Sequence, residues 1–222
     1  MYKALFVGEE TVCTGRLADM FSKLISNRPS RVSVTIQGFI GATFHSQVQQ
    51  LFEQFTCNLY CTGYDAVIFY QSKVPTSDDI RALKAMLEET QKSGSIPCVA
   101  IREDAVQSFG SLRDLSAELG MRVFACPKGV TPDQSRMYLA SLAARVLFNK
   151  APKKGAMLPI QDIEEKSRIT YAGTAHSFNS AKSIVVERSG GNTDKYYRVS
   201  EQDIQMLNKA AFYGGNYDGE GI

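Results

Sequence analysis

The amino-acid sequence predicts an α/β protein: an open, five-stranded parallel sheet with helices on both faces, a three-layer sandwich. Over residues 1–148, short apolar segments alternate five times with stripes of apolar residues at helical spacing. The third apolar segment, 66–70 (AVIFY), lacks the alternation of a half-exposed strand, so we expect it to be covered on both faces. Because crossovers between parallel strands are right-handed, these units favour the strand order 2-1-3-4-5.

Each predicted element rests on a local pattern. Short apolar or β-branched runs predict five strands, at 3–7, 31–36, 66–70, 96–101 and 122–126. Apolar residues at helical spacing predict helices that include 17–25, 44–55, 80–87, 112–119 and 137–147. Ser77 is expected to cap the third helix, and Thr131-Pro132-Asp133 is a start signal for the fifth.

The pattern changes after residue 148. The polar segment 149–155 (NKAPKKG) indicates a linker, which divides the chain into a first domain (1–148), a linker (149–156) and a partly flexible C-terminal extension (157–222). In the extension, the sequence favours a short helix at 159–166, then a hairpin formed by strands 183–188 and 195–199. Ser200-Glu201-Gln202-Asp203 resembles a capping box that opens a final helix.

The charge balance excludes a strong bulk field for nucleic acid or an anionic membrane, but it leaves a local basic patch open. The chain has 25 Lys and Arg against 23 Asp and Glu, a net charge of +2, so it lacks the strong basic field of many nucleic-acid-binding proteins. There is no run of 18 apolar residues and no signal-peptide pattern at the start. We therefore expect a cytoplasmic protein without membrane insertion.

The five cysteines do not predict a metal site. Cys57 and Cys61 are close in sequence, but no second Cys/His pair has the spacing that a four-ligand zinc site needs. In a chain without an export signal, reduced and mostly buried thiols are expected.

The loop after the first strand differs from two known types of phosphate-binding loop. It has neither the lysine and hydroxyl of a P-loop nor the three glycines of a dinucleotide fingerprint. Thr14-Gly15, with Thr11, resembles the middle of the loop that binds the flavin phosphate in flavodoxins. That resemblance implies an FMN site at Thr11, Thr14 and Gly15, with Tyr70 or Phe109 able to stack on the flavin ring. The alternative is that these threonines cap the first helix.

A second resemblance covers about 145 residues, the whole first domain. Four segments of the chain are similar to the corresponding segments of response-regulator receiver domains. They are the first strand with the following Gly8-Glu9-Glu10, the third strand with the preceding Tyr64-Asp65, the fourth strand 96–101 (IPCVAI), and the fifth strand with the following Pro127-Lys128. In those domains, paired acids hold Mg²⁺, an aspartate accepts a phosphoryl group, and a Thr or Ser and a Lys-Pro pair complete the site.

The positions matched to that phosphorylation site carry other residues. The resemblance places Gly8 and Glu9, with Glu10 next, at the paired acids, Tyr70 at the phosphoacceptor, Arg102 at the Thr or Ser, and Lys128 beside an inverted Pro-Lys pair. Phosphorylation of this kind needs a carboxylate nucleophile and a carboxylate-bound Mg²⁺. The chain thus resembles a degenerate receiver with no catalytic residues and no cofactor, in which Lys128 is expected to pair with Glu9.

These features favour a non-enzymatic adaptor, a subunit of a larger bacterial cytosolic assembly or signalling system that binds other proteins. An FMN- or nucleotide-binding protein is the alternative. A weaker alternative is a nucleic-acid-binding regulator, because 195–199 (KYYRV) mixes basic and aromatic residues. The balanced charge makes nucleic acid the less favoured partner.

Overall fold

The structure is a computed structural model. It describes residues 1–9, 12, 16–25, 31–38, 43–48, 63–105, 112–119, 121, 123–160, 169–171, 184–186 and 195–210. The predicted features at Glu10, Thr11, Thr14, Gly15, Cys57, Cys61 and Phe109, and most of the second helical stripe, lie outside these residues.

The described chain forms nine strands and six helical segments. The strands are β1 (Tyr2–Gly8), β2 (Val32–Gly38), β3 (Ala66–Gln71), β4 (Ile96–Arg102), β5 (Val123–Cys126), β6 (Met157–Ile160), β7 (Ile169–Tyr171), β8 (Ile184–Val186) and β9 (Lys195–Arg198). The helices are α1 (Leu17–Ile25), α2 (44–48), α3 (Ser77–Lys92), α4 (Leu112–Leu119), α5 (Pro132–Phe148) and α6 (Glu201–Ala210).

Five strands form one parallel sheet in the order β2-β1-β3-β4-β5. The predicted α/β fold class, with a flavodoxin-like strand order, is therefore confirmed. In the register, Phe6 of the central strand β1 lies opposite Ile36 of β2 and Ile68 of β3.

The sheet separates two apolar clusters, because successive side chains along each strand point to opposite faces. On one face, Phe6, Ile68 and Tyr70 pack with α1 and α5. On the other face, Val7 and Phe69 pack with α2, α3 and α4. Both faces of the central strands are thus covered, which is why their sequences are apolar without alternation.

The helix caps agree with the sequence in one case and differ in another. Thr131 caps α5, its side chain accepting from the Gln134 backbone nitrogen at 3.3 Å. The predicted cap of α3 at Ser77 is wrong, because Thr76 caps this helix. A capping box needs a side chain three residues after the cap that accepts from the cap's backbone nitrogen, and Asp79 stands in that position relative to Thr76.

The C-terminal extension contains antiparallel strand pairs and a helix, as expected, but with different strand partners. The strand β9 pairs with β6, and β8 pairs with β7, so the predicted pairing of 183–188 with 195–199 is wrong. The predicted helix at 159–166 is also wrong at its start, since 159–160 lie in β6, and the rest is outside the described residues. Pairing with β6 lets Val199 reach the main core, where it is buried beside Leu158.

A short turn leads from the main sheet into the extension. Asn149 follows α5 with a φ of 51°, a left-handed conformation that asparagine tolerates. The Gly155 nitrogen then donates to the Val199 carbonyl at 2.8 Å. In the described part of the chain, none of the helices combines the length and apolar character needed to cross a membrane.

Candidate functional site

The candidate site lies at the carboxyl ends of the sheet strands, which meet at one edge because the strands are parallel. Gly8 ends β1, Tyr70 is the penultimate residue of β3, and Arg102 ends β4 directly opposite Cys126 of β5. Glu9 and Lys128 follow β1 and β5. The structure therefore places these five predicted residues along one edge, while Glu10 is outside the described residues.

Tyr70 lies in the core of the α1–α5 face and is only 4 % exposed. Burial raises the pKa of its phenol far above the ordinary value. The neighbouring Cys126 and Glu9 raise it further, and the Arg102 guanidinium opposes them. The phenol is accordingly neutral throughout the physiological range. A neutral, buried phenol is neither a phosphoryl acceptor nor an exposed ring on which a flavin can stack.

Gly8 occupies a position with no room for a side chain. A Cβ atom there would lie 2.5 Å from Cγ2 of Val12 and 3.2 Å from the carbonyl oxygen of Tyr70. Val12 is itself fully buried, and its side chain occupies the space that a side chain at residue 8 would need. An acid side chain at this position is therefore excluded by sterics as well as by sequence.

Replacing Gly8 by alanine is expected to destabilise the protein by about 2 kcal/mol, because either Val12 or the β3 backbone must move. Urea unfolding measures this effect, and Gly129→Ala gives the contrast. Gly129 has a φ of 69° but open space around its Cβ position, so its cost comes from backbone strain alone. If the Gly8→Ala variant unfolded at the same midpoint urea concentration as the wild-type protein, the packing described for Val12 would be contradicted.

The Glu9 carboxylate is 8 % exposed and accepts a hydrogen bond from the Ser72 hydroxyl, with Oγ and Oε2 2.7 Å apart. A Glu9–Lys128 pair was expected, but it is not among the ion pairs formed by the described residues. The reason is distance: β5 is three strands from β1, which is about 14 Å at the usual strand spacing. Ser72 follows β3, the direct neighbour of β1.

Arg102 instead pairs with Asp104 two residues later. Its Nε donates to Asp104 Oδ1 at 2.5 Å, and both side chains are partly exposed. This hydrogen bond is the main cause that holds the pKa of Asp104 below its usual range, and the exposed Lys128 acts in the same direction. At this rim the Arg102 charge is therefore paired within the chain, while Lys128 remains exposed.

A buried polar cluster behind this edge was missed in the sequence. The side chains of Gln47, Gln71 and Asp79 are almost completely buried. Oε1 of Gln71 accepts from the Phe44 backbone nitrogen, and Asp79 Oδ1 accepts from the His45 nitrogen at 2.8 Å. These two side chains thereby accept hydrogen bonds from backbone nitrogens in the first turn of α2, which have no hydrogen-bond partner within the helix. The sequence feature that could have pointed to this cluster is Asp79, which stands three residues after Thr76, as in a capping box.

Gln47 completes the cluster. Its Nε2 donates to the Tyr70 carbonyl oxygen at 3.1 Å, while its Oε1 has no hydrogen-bond partner among the described residues. The cluster ties α2 to the end of β3 and the start of α3. Its effect is to fix the backbone on either side of Tyr70.

The buried thiols offer no nucleophile. Cys98 and Cys126 are both buried, and burial raises the pKa of each thiol to about 12. A thiol reacts as the thiolate, which these groups do not form near neutral pH. Within the described residues, no cluster of His, Cys, Asp and Glu has the arrangement of a metal site.

The aromatic residues of β9 serve internal contacts. The Tyr197 hydroxyl donates to Asp203 Oδ2 at 2.7 Å. Tyr196 is partly exposed, and the Lys23 ammonium lies 5.2 Å from its ring centroid. A stacking surface for single-stranded nucleic acid needs several free aromatic rings along a basic groove, and this pair offers at most one.

The described residues of this edge therefore include a neutral phenol, a hydrogen-bonded carboxylate, the Arg102–Asp104 ion pair and the exposed Lys128. None of these is arranged as a nucleophile with its base or as an open cation site. Neither the protein-family models nor the curated protein sequences give a match to this chain.

Proposed function

We propose that this protein is a non-enzymatic protein-interaction module: a degenerate receiver-like subunit that acts as an adaptor in a larger cytosolic assembly. The observation that carries the proposal is Tyr70. It stands where receivers have the phosphoacceptor carboxylate, and it is a buried, neutral phenol. A fold of this kind normally has its reactive groups at this edge of the sheet, so their replacement by packed side chains favours binding over catalysis.

The remaining groups at this edge support the same proposal. Gly8 leaves no space for a Mg²⁺-binding acid, and Glu9 is already hydrogen-bonded by Ser72. Arg102 is paired with Asp104. Glu9 and Arg102 are thus both engaged by neighbouring side chains, which suits an adaptor that does not switch by phosphorylation.

A phosphodonor experiment tests the catalytic part of the proposal. The full chain is incubated with a small acyl-phosphate donor and Mg²⁺, and intact-mass spectra are taken before and after mild acid treatment. We expect no acid-labile phosphoryl group on the protein, and an active receiver domain in the same buffer is the positive control. An acid-labile phosphoryl mass on this chain would overturn the proposal.

Native mass spectrometry of the protein gently isolated from its own cells tests the binding part. We expect the 24.5 kDa chain to carry an added mass the size of a folded protein. An added mass of only a few hundred daltons, about that of a nucleotide or flavin, would contradict the adaptor proposal and favour a small-ligand protein. The Thr11, Thr14 and Gly15 loop would then be the first region to alter.

A further inference from the structure

We refer to residues 157–160, which form β6, and residues 195–210, which contain β9 and α6, as the C-terminal strap. In this strap β6 lies against α1, and α6 lies against α5 and β5. Leu158, Val199 and Leu207 of the strap are buried in the same cluster as the inner residues of α1 and α5. The strap thus covers an apolar surface of α1, α5 and β5 that would otherwise be exposed.

One buried carboxylate lies at the centre of this contact. Asp203 of α6 is 1 % exposed and accepts four hydrogen bonds. Its Oδ1 accepts from the Tyr138 hydroxyl at 2.9 Å, and its Oδ2 accepts from the Tyr197 hydroxyl at 2.7 Å. The Ser200 nitrogen and hydroxyl also donate to Oδ2, at 2.8 and 2.7 Å.

These donors come from different parts of the fold. Tyr138 belongs to α5 of the main sheet layer, whereas Tyr197 and Ser200 belong to the strap. A buried carboxylate is strongly disfavoured unless hydrogen bonds replace its water. Docking of the strap therefore supplies the carboxylate with the Tyr138 hydroxyl that it lacks when undocked.

The exposed contacts at the rim of the strap add little to the stability of its docking. Lys154 and Glu201 form an exposed ion pair at 3.1 Å, and Arg145 donates to Asn208 Oδ1 at 3.1 Å, also at the surface. Exposed pairs of this kind contribute almost nothing to stability. The strap is held by the Asp203 hydrogen bonds, by a hydrogen bond from Gln134 Nε2 to the Tyr197 hydroxyl at 3.2 Å, and by apolar side chains that pack on the main cluster. Of these apolar side chains, Leu158, Val199 and Leu207 are buried and the others partly buried, so the contact is smaller than the core of the sheet.

We propose that the strap is an autoinhibitory occupant of the α1–α5 face: it undocks as a unit while the sheet stays folded, and the uncovered face is where a partner docks. This inference rests on the proposed adaptor function. The strap itself indicates the chemistry of the partner, an amphipathic helix with a serine- or threonine-capped first turn and an aspartate that reaches Tyr138. Partner binding then competes with the strap.

Hydrogen exchange of the full chain tests the undocking. In Asp203→Asn, we expect amides of 195–210 to exchange about tenfold faster than in wild type or more, because one charge-assisted hydrogen bond is lost. Amides of β1 and β3 should keep their protection. Glu201→Gln, on the exposed side of the same helix, should remain within about twofold, because exposed ion pairs matter little.

Two results would overturn the undocking. One is equal loss of protection in strap and sheet, which would make the strap an inseparable part of one cooperative unit. The other is unchanged exchange of 195–210 in Asp203→Asn. If that variant does not fold, Tyr138→Phe, which removes one donor and keeps the ring, takes its place with the same expectations.

A fluorescent peptide of residues 195–210 tests whether the face is a docking surface. We expect the peptide to bind the full-length Asp203→Asn variant and to bind the wild-type protein at least about tenfold more weakly. A peptide that carries asparagine at position 203 should bind both proteins more weakly than the unchanged peptide does. A peptide that binds neither protein would refute the docking face even if the strap opens. These results need no natural partner, so they stand apart from the phosphodonor and native-mass outcomes.

Discussion

Replacing Tyr70 by aspartate is expected to destabilise the protein by about 4 kcal/mol and to produce no phosphoryl acceptance. The change removes a ring buried against α1 and α5, and large-to-small changes of this kind cost about 3–5 kcal/mol. It also buries a carboxyl group close to Glu9, whose charge opposes ionisation. Urea unfolding measures the stability, and the phosphodonor assay measures acceptance.

Tyr70→Phe is the matched control for this substitution. It keeps the ring in the core and removes only the hydroxyl, so its unfolding free energy should fall by about 1 kcal/mol or less. If Tyr70→Asp were as stable as Tyr70→Phe and carried an acid-labile phosphoryl group, this edge would be a functional receiver site that lacks one residue. That outcome would contradict both the burial argument and the proposed function.

Asp79→Ala is expected to lower the free energy of unfolding by about 3 kcal/mol. The substitution removes the reciprocal half of the α3 capping box, where Asp79 Oδ2 accepts from the Thr76 nitrogen at 2.8 Å. It also breaks the link to α2 through the His45 nitrogen. A lost capping interaction costs about 1 kcal/mol, and a buried donor left without a partner costs about 1–3 kcal/mol more.

The neighbouring Asp78 supplies the control. Its carboxylate is exposed and pairs with Arg81 one turn along the helix. Asp78→Ala should change the unfolding free energy by no more than about 0.5 kcal/mol. Equal effects at the two positions would show that helix charge, and not the buried hydrogen bonds, determines the contribution of Asp79.

The contribution of Asp79 should also depend on pH. Burial alone would raise the pKa of this carboxyl, but hydrogen bonds from Thr76, His45 and Thr43 outweigh it and hold the pKa below its ordinary value. A group with a depressed folded pKa stabilises the protein fully above its unfolded pKa of about 3.9 and loses that effect as the pH falls through the folded pKa. The stability difference between wild type and Asp79→Asn should therefore narrow below about pH 4, as followed by urea unfolding at each pH.

The candidate site was only partly predictable. The strand ends follow from the order of apolar segments, so Gly8, Tyr70 and Arg102 could be assigned to one edge in advance. The partners of their neighbours could not be assigned, and the expected Glu9–Lys128 pair was replaced by Glu9–Ser72 and Arg102–Asp104. The pairing of charged side chains depends on the spatial order of the strands and on how far each side chain extends. Local sequence patterns give no information on either.

The sequence alone determined the five-stranded parallel sheet and its order, because apolar periodicity and chain handedness are properties of neighbouring residues and short connections. It also determined the Thr131 cap and the Ser200–Asp203 capping box, which are local. Only the tertiary structure decided that β9 pairs with β6 and that Asp203 accepts from Tyr138, 65 residues earlier. Such contacts join segments that are distant in the sequence. They depend on how the surfaces of these segments pack together in the folded protein, which no local pattern specifies.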